Sequence, residues 1–365
     1  MIHTIINPKG HKNLIFRISQ LKGEQQGNMN NHIVFFSGGK SSFSVADWVK
    51  TNYPEDNILL YFTDTLWEDE DLYRFIYEAS DKLQLPMLIH SRGITPAQLM
   101  VQQRFMANNR VGTCSKELKM KVSAQYLKKG IVPEVEKWHN RHYLKADNFI
   151  SDASLYFGIG FEEMHREGPI RANWKPFKVG MPLIDHVIDN DVVLERHGIR
   201  QPRMYDMQFS HNNCKGRCVK AGQGHFKNLL MKDEKTFVEL MEQEIIISEY
   251  IRYCKQPAIK SEKQPDYMYK DVWEFVSTGY KSDKIRNILE GHPYTKKFLF
   301  GKDSKGKDIK KPYTFMKTKS LEELEKEPVQ CDIWDIGGCG CFVDYGNELQ
   351  SSTSLSPKVS KGRVE

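Results

Sequence analysis

The sequence predicts an α/β protein built on a doubly wound parallel sheet, followed by a mainly helical C-terminal part. Three short apolar runs, at residues 33–36, 57–62 and 86–90, are separated by segments with helical spacing. Brief runs rich in β-branched and aromatic residues are typical of buried strands. Strands that alternate with helices favour a parallel sheet covered on both faces. Residues 227–300 then carry a mainly helical apolar pattern.

Composition limits the class of protein. The chain has 365 residues, a formal net charge of +6 and seven cysteines. A chain of this length can bury a full core and is expected to divide into a main domain and an appendage. It has no apolar run long enough to span a bilayer, and its start lacks the layout of a secretory signal. We therefore expect a cytoplasmic protein without membrane contact, whose cysteines serve as thiols or metal ligands.

The chain is expected to have four parts. A polar N-terminal extension covers 1–30, and its first 28 residues are hypothesised to be dispensable. A nucleotide-binding domain covers 31–226, and a helical region over 227–345 closes a cysteine site. The Ser/Thr/Lys/Pro-rich end from 346 to 365 is expected to be a disordered tail. Residues 302–319 hold seven lysines and two aspartates, which favours a solvated loop over a nucleic-acid contact.

The segment that follows the first predicted strand is a candidate phosphate loop. It combines two glycines, a lysine and three serines, and a helical pattern begins directly after it. Glycines let the backbone approach an oxyanion, and a helix N-terminus offers free N–H groups and a positive dipole end. The loop residues are Ser37, Gly38, Gly39, Lys40, Ser41 and Ser42. The Walker A pattern is excluded, because Val34 stands where that pattern needs a glycine.

This loop resembles the Ser-Gly-Gly-x-Asp-Ser loop of the ATP pyrophosphatases, which grips the far phosphates of ATP and cleaves between the α and β phosphorus atoms. The phosphoadenosine phosphosulfate (PAPS) reductases share that fold. Ser41 stands where the family usually has Asp, a departure that bears on metal-assisted chemistry. A glycine turn without a ligand is the alternative for the loop taken alone.

A second motif follows the next predicted strand. Asp64 and Thr65 stand at its C-terminal end, where open α/β sheets hold their ligands. They resemble the family's hydrophobic-x-Asp-Thr motif, which flanks the nucleotide. The alternative is that one of them caps a helix predicted over 68–83.

Residues 111–121 resemble the Cys-x-x-x-Leu-Lys element of PAPS-reductase-like proteins, in which a loop enters a helix beside the nucleotide. Thr113 or Ser115 is expected to cap that helix. A thiol at a helix N-terminus near lysines has a lowered pKa, so Cys114 is a candidate reactive thiol, with a buried structural cysteine as the alternative. Lys116 and Lys119 are candidate phosphate contacts, or else a solvated basic face.

Three residues further along resemble the family's Gly-Ile-x-x-x-Glu-x-x-Arg block, whose arginine reaches an anionic group of the nucleotide. They are Gly158, Glu163 and Arg166. An i,i+3 surface ion pair between the last two is the alternative. The stretch from Gly198 to Tyr205 resembles a later passage of the same family, Gly-Ile-x-x-Pro-x-hydrophobic-Tyr, which ends the nucleotide domain.

Two cysteine pairs form the second strong signal. Cys214 and Cys218 lie four apart with a glycine between them, and Cys339 and Cys341 are separated by one glycine. Together they would make a four-thiolate site for zinc or a [4Fe–4S] cluster, and unligated thiols are the alternative. The reserve ligands are His211, His225 and Cys331.

The ordered motifs from 31 to 226 identify the chain as a member of the PAPS-reductase-like group of the adenine nucleotide α-hydrolases, whose sheet is HUP-like with a PP-loop. The first hypothesis is an ATP-using enzyme, assisted by Mg²⁺, that adenylylates an acceptor with loss of pyrophosphate. Lys40 and Arg166 would neutralise phosphate charge. Relatives that insert sulfur extend this hypothesis to sulfur transfer onto a nucleic acid or small molecule, with a sulfur-donor protein as partner.

Two other classes remain open. A sulfonucleotide reductase would bind PAPS and use Cys339 or Cys341 as the nucleophile, although the family's C-terminal Glu-Cys-Gly-x-His-like segment is missing from the sequence. A non-catalytic nucleotide-sensing subunit would bind without turnover.

Overall fold

The structure is a computed structural model that describes residues 4–6, 29–108, 110–291, 313–316 and 319–328. In the described ranges no helix is long and apolar enough to cross a membrane. The predicted tail and most of the lysine-rich segment lie outside the described residues.

A seven-stranded sheet forms the centre of the molecule, in the order β1-β5-β4-β3-β2-β6-β7. The strands are β1 (Thr4–Ile6), β2 (Asn31–Phe35), β3 (Asn57–Asp64), β4 (Met87–Ser91), β5 (Val135–His139), β6 (Ser154–Phe157) and β7 (Lys178–Gly180). The five strands from β4 to β7 in this order are mutually parallel, whereas β5 runs antiparallel to β4 and β1 antiparallel to β5. The expected parallel core is therefore confirmed, with an antiparallel edge that the sequence did not predict.

Alternating side chains of β2 enter different cores. Ile33 and Phe35 pack with Leu155 and Trp174 on one face of the sheet. Val34 packs on the other face, in a cluster that includes residues of the first two helices. Because both faces are covered, the strand is a continuous apolar run, as parallel strands usually are.

Fourteen α-helices are described. They are α1 (Lys40–Asn52), α2 (Glu70–Leu83), α3 (Pro96–Gln103), α4 (Lys121–Lys129), α5 (Glu167–Asn173), α6 (Pro182–Asp185), α7 (Asn190–His197), α8 (Arg203–Asp206), α9 (Gln223–Lys232), α10 (Glu234–Cys254), α11 (Pro257–Lys260), α12 (Tyr269–Thr278), α13 (Asp283–Glu290) and α14 (Leu321–Glu325). A π-helical turn over Ser115–Met120 leads into α4, and a 3-10 turn over Phe161–Arg166 follows β6.

The C-terminal part is helical, as predicted, and packs around α10. This helix buries residues such as Phe237 and Ile246 in the same cluster as α9, α12 and α13. The fully buried carboxylate of Glu244 accepts the backbone N–H of Phe315 at 2.7 Å and that of Leu321 at 2.8 Å. A single side chain of α10 therefore binds both of the described segments 313–316 and 319–328.

One detail of the N-terminal half differs from expectation. The segment over 1–30, expected to be a polar extension, contributes β1 to the edge of the sheet.

Candidate functional site

The loop after β2 lies at the topological switch point of the sheet. From β2 the chain moves through β3 and β4 on one side, and it later returns to β6 on the other side. In open α/β sheets, the crevice beyond the carboxyl ends of the strands at this point is where ligands bind. In the parallel register, Phe35 of β2 pairs with Tyr61 of β3 and with Phe157 of β6. The loops after these three strands therefore lie at the same edge of the sheet, beyond the carboxyl ends of the strands.

The candidate phosphate loop is a tight strand-to-helix turn held by its own hydroxyls. Ser37 Oγ donates to Ser42 Oγ at 3.3 Å, and Ser42 Oγ donates to the Gly39 carbonyl at 2.8 Å. Gly38 has a φ of +80°, which favours glycine. The helix begins at Lys40, so its first N–H groups lie at this edge. The predicted arrangement of strand, glycine turn and helix start is therefore present.

The loop after β6 packs directly against this helix start. A Cβ added at Gly158 would lie 2.8 Å from the Ser42 nitrogen and 3.0 Å from the Ser41 carbonyl carbon. Only glycine allows the two backbones to approach this closely. Gly158 is thus a contact of the phosphate loop itself, which explains its place among the motif residues.

Side chains from residues 190–212, which we call the cover, meet the loop from the other side. Asn190 Nδ2 donates to Ser41 Oγ at 3.4 Å, and Lys40 Nζ pairs with Asp191 Oδ1 at 2.7 Å. The Tyr205 hydroxyl accepts the Lys40 backbone N–H at 3.4 Å, and Asn212 Nδ2 donates to the Gly38 carbonyl at 2.9 Å. Three of the loop residues, Gly38, Lys40 and Ser41, therefore have polar contacts with the cover.

Asp64 is buried at the C-terminal end of β3. Its Oδ1 accepts the backbone N–H of Leu66 at 2.7 Å and the hydroxyl of Tyr73 at 2.9 Å. Burial raises the pKa of this carboxyl, although the two hydrogen bonds act to lower it. The alternative role as a helix cap is wrong, because α2 is capped by the side chain of Asp69. Thr65 instead donates to Glu68 Oε1 at 2.8 Å.

Glu163 and Arg166 form the i,i+3 ion pair that stood as the alternative to a phosphate contact. Arg166 is nevertheless only 5% exposed. The pKa of Lys220 is lowered by burial of that lysine and also by the positive charge of Arg166, which therefore lies nearby. A buried guanidinium is more than a surface ion pair, so the arginine remains a candidate for anion binding.

Three thiols lie together beside the cover, two from residues 214–218 and one from a hundred residues earlier in the chain. Cys214 and Cys218 are buried in one apolar cluster, and Cys114 packs against it. The interaction between these two buried thiols holds the pKa of Cys214 above, and that of Cys218 below, the ordinary value. Cys218 also lies beside His211 and interacts with Cys114. The predicted Cys214–Cys218 proximity is present, and Cys114 is an unexpected neighbour.

The expectation of a lowered pKa at Cys114 is wrong. Burial raises the pKa of this thiol to about 11, helped by Cys218 and opposed by Lys119. A helix N-terminus lowers a thiol pKa only where the thiolate is also solvated. The expected caps are absent too, because Thr113 Oγ1 and Ser115 Oγ are buried without a hydrogen-bond partner in the described residues.

Lys119 does not lie on an open basic face. It is 3% exposed, and its Nζ lies 3.7 Å from Glu68 Oε1. Burial works to lower its pKa, but Glu68 and the three thiols raise it overall. Lys116, by contrast, is exposed on the π-helical turn. The two lysines therefore have different surroundings, although the sequence presents them as equivalent.

Glu68 joins the Asp64–Thr65 segment to the thiols. Its side chain is fully buried, accepts the Thr65 hydroxyl and takes the Cys214 backbone N–H at 2.5 Å. The backbone around that N–H is strained, since Cys214 has a φ of +62° and Lys215 of +49°. A strained backbone is retained only where surrounding contacts hold it in place, and such positions are common at ligand sites.

Several site residues were missed from the sequence. Glu68 opens an acidic run that is typical of a solvated helix start, and only the fold buries it. Tyr205 stood in the family-like passage without a role, whereas nothing local marked Asn190, Asp191 and Asn212. Their importance follows from contacts across more than 140 residues.

The metal hypothesis rests on residues that the structure covers in part. Cys331, Cys339 and Cys341 lie outside the described residues. In the described ranges, no group of three or more His, Cys, Asp or Glu side chains is arranged to hold a metal ion. Of the reserve ligands, His211 lies by Cys218. His225 Nε2 donates to the Gly216 carbonyl at 2.8 Å, and burial together with His211 lowers the pKa of His225 to about 4.

Comparison of the chain with protein-family models, with curated proteins and with solved structures finds no match.

Proposed function

We propose that this protein is a nucleotide-binding enzyme of the PAPS-reductase-like type, which cleaves ATP between the α and β phosphates and adenylylates an acceptor. One observation carries the proposal. The glycine loop and the N-terminus of α1 stand at the switch point of a parallel sheet, with Gly158 packed against the loop backbone. Together these features form an anion site with backbone N–H donors and a favourable dipole.

The loop would hold the phosphate chain through its backbone and hydroxyls. The N–H groups of the first turn of α1 would be the donors, and glycine at 38 and 39 keeps side chains out of the way. The Lys40 ammonium is partly exposed and pairs with the exposed carboxylate of Asp191. Such a surface ion pair contributes little, roughly 0–1 kcal/mol, so a polyphosphate can take over the lysine.

Arg166 would neutralise charge that develops during cleavage. It is buried, lies on the turn after β6 and is held by Glu163. The ion pair fixes the guanidinium before substrate arrives. The guanidinium would therefore stabilise the charge of the transition state without having to reorganise. The leaving pyrophosphate would then be stabilised from two sides, by Lys40 and by Arg166.

Mg²⁺ is proposed to accompany the nucleotide. The oxygen donors at this edge are the carboxylate of Asp64 and the hydroxyl of Ser41, which are ligands of the type that Mg²⁺ prefers. A bound Mg²⁺ would supply charge neutralisation of the phosphates. The raised pKa of Asp64 fits a carboxylate that lies in a poorly solvated place until a cation arrives.

A thiolate-bound zinc ion or [4Fe–4S] cluster is proposed at Cys214 and Cys218 with Cys339 and Cys341. The two described thiols fit such a site, because they are soft donors, buried and in mutual contact. The site would be structural and would tie the C-terminal part to the nucleotide domain. Metal analysis of purified wild-type protein and of the Cys218→Ser variant tests this, with at least half of the bound metal expected to be lost.

Sulfur transfer is proposed as the reaction that adenylylation serves. The acceptor would be a nucleic acid or a small molecule activated by AMP, and a donor protein would bring the sulfur. Support comes from Asn212, which donates to the Gly38 carbonyl of the loop and lies two residues before Cys214 in the chain.

The decisive experiment is pyrophosphate release from ATP by the Lys40→Ala variant. We expect turnover to fall by at least 100-fold while the unfolding midpoint in urea stays within error. The control is Lys129→Ala, which removes an exposed lysine from the end of α4. Undiminished turnover in Lys40→Ala would contradict the proposal.

Competitive binding of ATP against PAPS separates the alternatives. Tighter ATP binding supports the pyrophosphatase proposal. Tighter PAPS binding with thiol-dependent sulfite release would replace it with the reductase, and ATP binding without turnover under any acceptor would replace it with a sensing subunit.

A further inference from the structure

Tyr205 stands at the mouth of the phosphate loop. Its hydroxyl oxygen accepts the backbone N–H of Lys40 at 3.4 Å, which is the first N–H of α1. The same oxygen would lie 2.8 Å from a Cβ placed on Gly39. The Lys40 ammonium lies 4.9 Å from the centre of the Tyr205 ring. One tyrosine therefore contacts the loop backbone, the loop glycine and the loop lysine.

We propose that Tyr205 is a phosphate-positioning residue, whose hydroxyl donates a hydrogen bond to the polyphosphate held by the loop. The proposal deepens the proposed function and depends on it. An anion that takes the first N–H groups of α1 must come within reach of the hydroxyl that already contacts the N–H of Lys40. The oxygen accepts that N–H, and its own proton is directed elsewhere.

The surroundings keep this proton in place. Burial raises the pKa of Tyr205 to about 12, with a contribution from Asp191. The hydroxyl is therefore protonated at every physiological pH and can donate to an anion. Donation to an anion is stronger than donation to a neutral oxygen, which gives the hydroxyl a preference for phosphate.

Asp191 has the complementary role in this arrangement. Its carboxylate holds the Lys40 ammonium at 2.7 Å and is itself 71% exposed. A phosphate that binds Lys40 competes with this carboxylate, which can turn into solvent. Tyr205 therefore favours the polyphosphate, whereas Asp191 opposes it, although the two residues contact the same lysine.

The opposite role for Tyr205 makes an opposite prediction. If its hydroxyl only occupied the first N–H of α1 and had to move away when phosphate binds, then removing the hydroxyl would strengthen pyrophosphate binding. The sign of the effect of Tyr205→Phe therefore decides between the two roles. This variant keeps the ring against Lys40 and deletes only the hydroxyl.

The experiment measures inorganic pyrophosphate, ATP and adenosine binding to the full-length protein by calorimetry. Tyr205→Phe is expected to bind pyrophosphate and ATP about tenfold more weakly, as for the loss of one hydrogen bond to a charged group, with adenosine binding unchanged. Asp191→Asn is expected to bind pyrophosphate more tightly. The matched control is Tyr280→Phe, because Tyr280 is 56% exposed in the helical part.

Three results would overturn the proposal. Equal or tighter pyrophosphate binding by Tyr205→Phe would show that the hydroxyl does not hold phosphate. An equal loss of adenosine affinity would show a structural effect, which urea unfolding of the variant would detect as a lowered midpoint. If wild-type protein binds neither pyrophosphate nor ATP, then the proposed function fails and the inference about Tyr205 fails with it.

Discussion

The side-chain amide of Asn212 donates to the backbone carbonyl of Gly38 at 2.9 Å, in the interior of the protein and across 174 residues of sequence. Gly38 is the loop residue whose positive φ turns the chain from β2 towards α1. Asn212 lies two residues before Cys214, so a single hydrogen bond joins the candidate phosphate loop to the segment that carries the thiols.

Replacing Asn212 with alanine should therefore affect both stability and binding. The Gly38 carbonyl would stay buried without its partner, which costs about 1–3 kcal/mol of unfolding free energy. We expect pyrophosphate affinity to fall as well, since the loop loses a constraint. Urea unfolding and calorimetry measure the two effects. Asn52→Ala is the control, because its exposed amide also donates to a backbone carbonyl, that of Trp48; an equal effect in both variants would contradict the prediction.

The close approach at Gly158 predicts a sharp contrast between two glycines of one turn. A Cβ at Gly158 would collide with the backbone of Ser41 and Ser42, which cannot move without shifting α1. A Cβ at Gly160 would meet nothing within 4 Å. Gly158→Ala should lose at least tenfold in pyrophosphate affinity, whereas Gly160→Ala should bind like wild type. Calorimetry on both variants checks this, and similar affinities would refute the contact.

The environment of Cys114 predicts an unreactive thiol at neutral pH. With a pKa of about 11, its thiolate fraction at pH 7.5 is about 300-fold lower than that of an ordinary cysteine, whose pKa is about 8.5. Alkylation by iodoacetamide, followed by peptide mass spectrometry, should be slow at pH 7.5 and rise steadily towards pH 11. Fast alkylation at pH 7.5, at the rate of free cysteine in the same tube, would show that the thiol is activated.

Glu244 predicts a pH dependence of stability. Its burial raises the pKa to about 8 in the folded state, well above the unfolded value. Between these two values the folded protein binds the extra proton, so the contribution of this group to the unfolding free energy decreases as pH rises. Urea unfolding should show that the unfolding free energy decreases more between pH 6 and pH 8 for wild type than for Glu244→Gln. Parallel losses in the two proteins would show that Glu244 does not titrate in this range.

The sequence predicted those parts of the fold that local patterns determine. The strands at 33–36, 57–62 and 86–90 and the start of α1 are there, because short apolar runs and a glycine turn carry their own signal. β5 was missed, since its residues Val135–His139 include the charged pair Glu136 and Lys137, form no apolar run, and are all partly exposed.

The site was predicted only where a motif was continuous. The phosphate loop and Gly158 form such motifs, and the structure places them in contact. Cys114 illustrates the limit, because helix position and nearby lysines suggested a lowered pKa, whereas the buried surroundings, which come from residues a hundred positions away, raise it. Tyr205 and Asp191 similarly act on Lys40 through space, and a local pattern cannot report such contacts.

The contact between Gly38 and Asn212 also bears on when the loop can be completed. During synthesis, the loop leaves the ribosome long before the residue that fixes its carbonyl, and residues 190–205 of the cover also emerge late. Ordered chain growth from the N-terminus thus means that β2 to β4 can pair while the loop still lacks its outer contacts. The candidate phosphate loop is then among the last features around the sheet to be completed, and a nascent chain stopped before residue 190 would have the sheet without the completed loop.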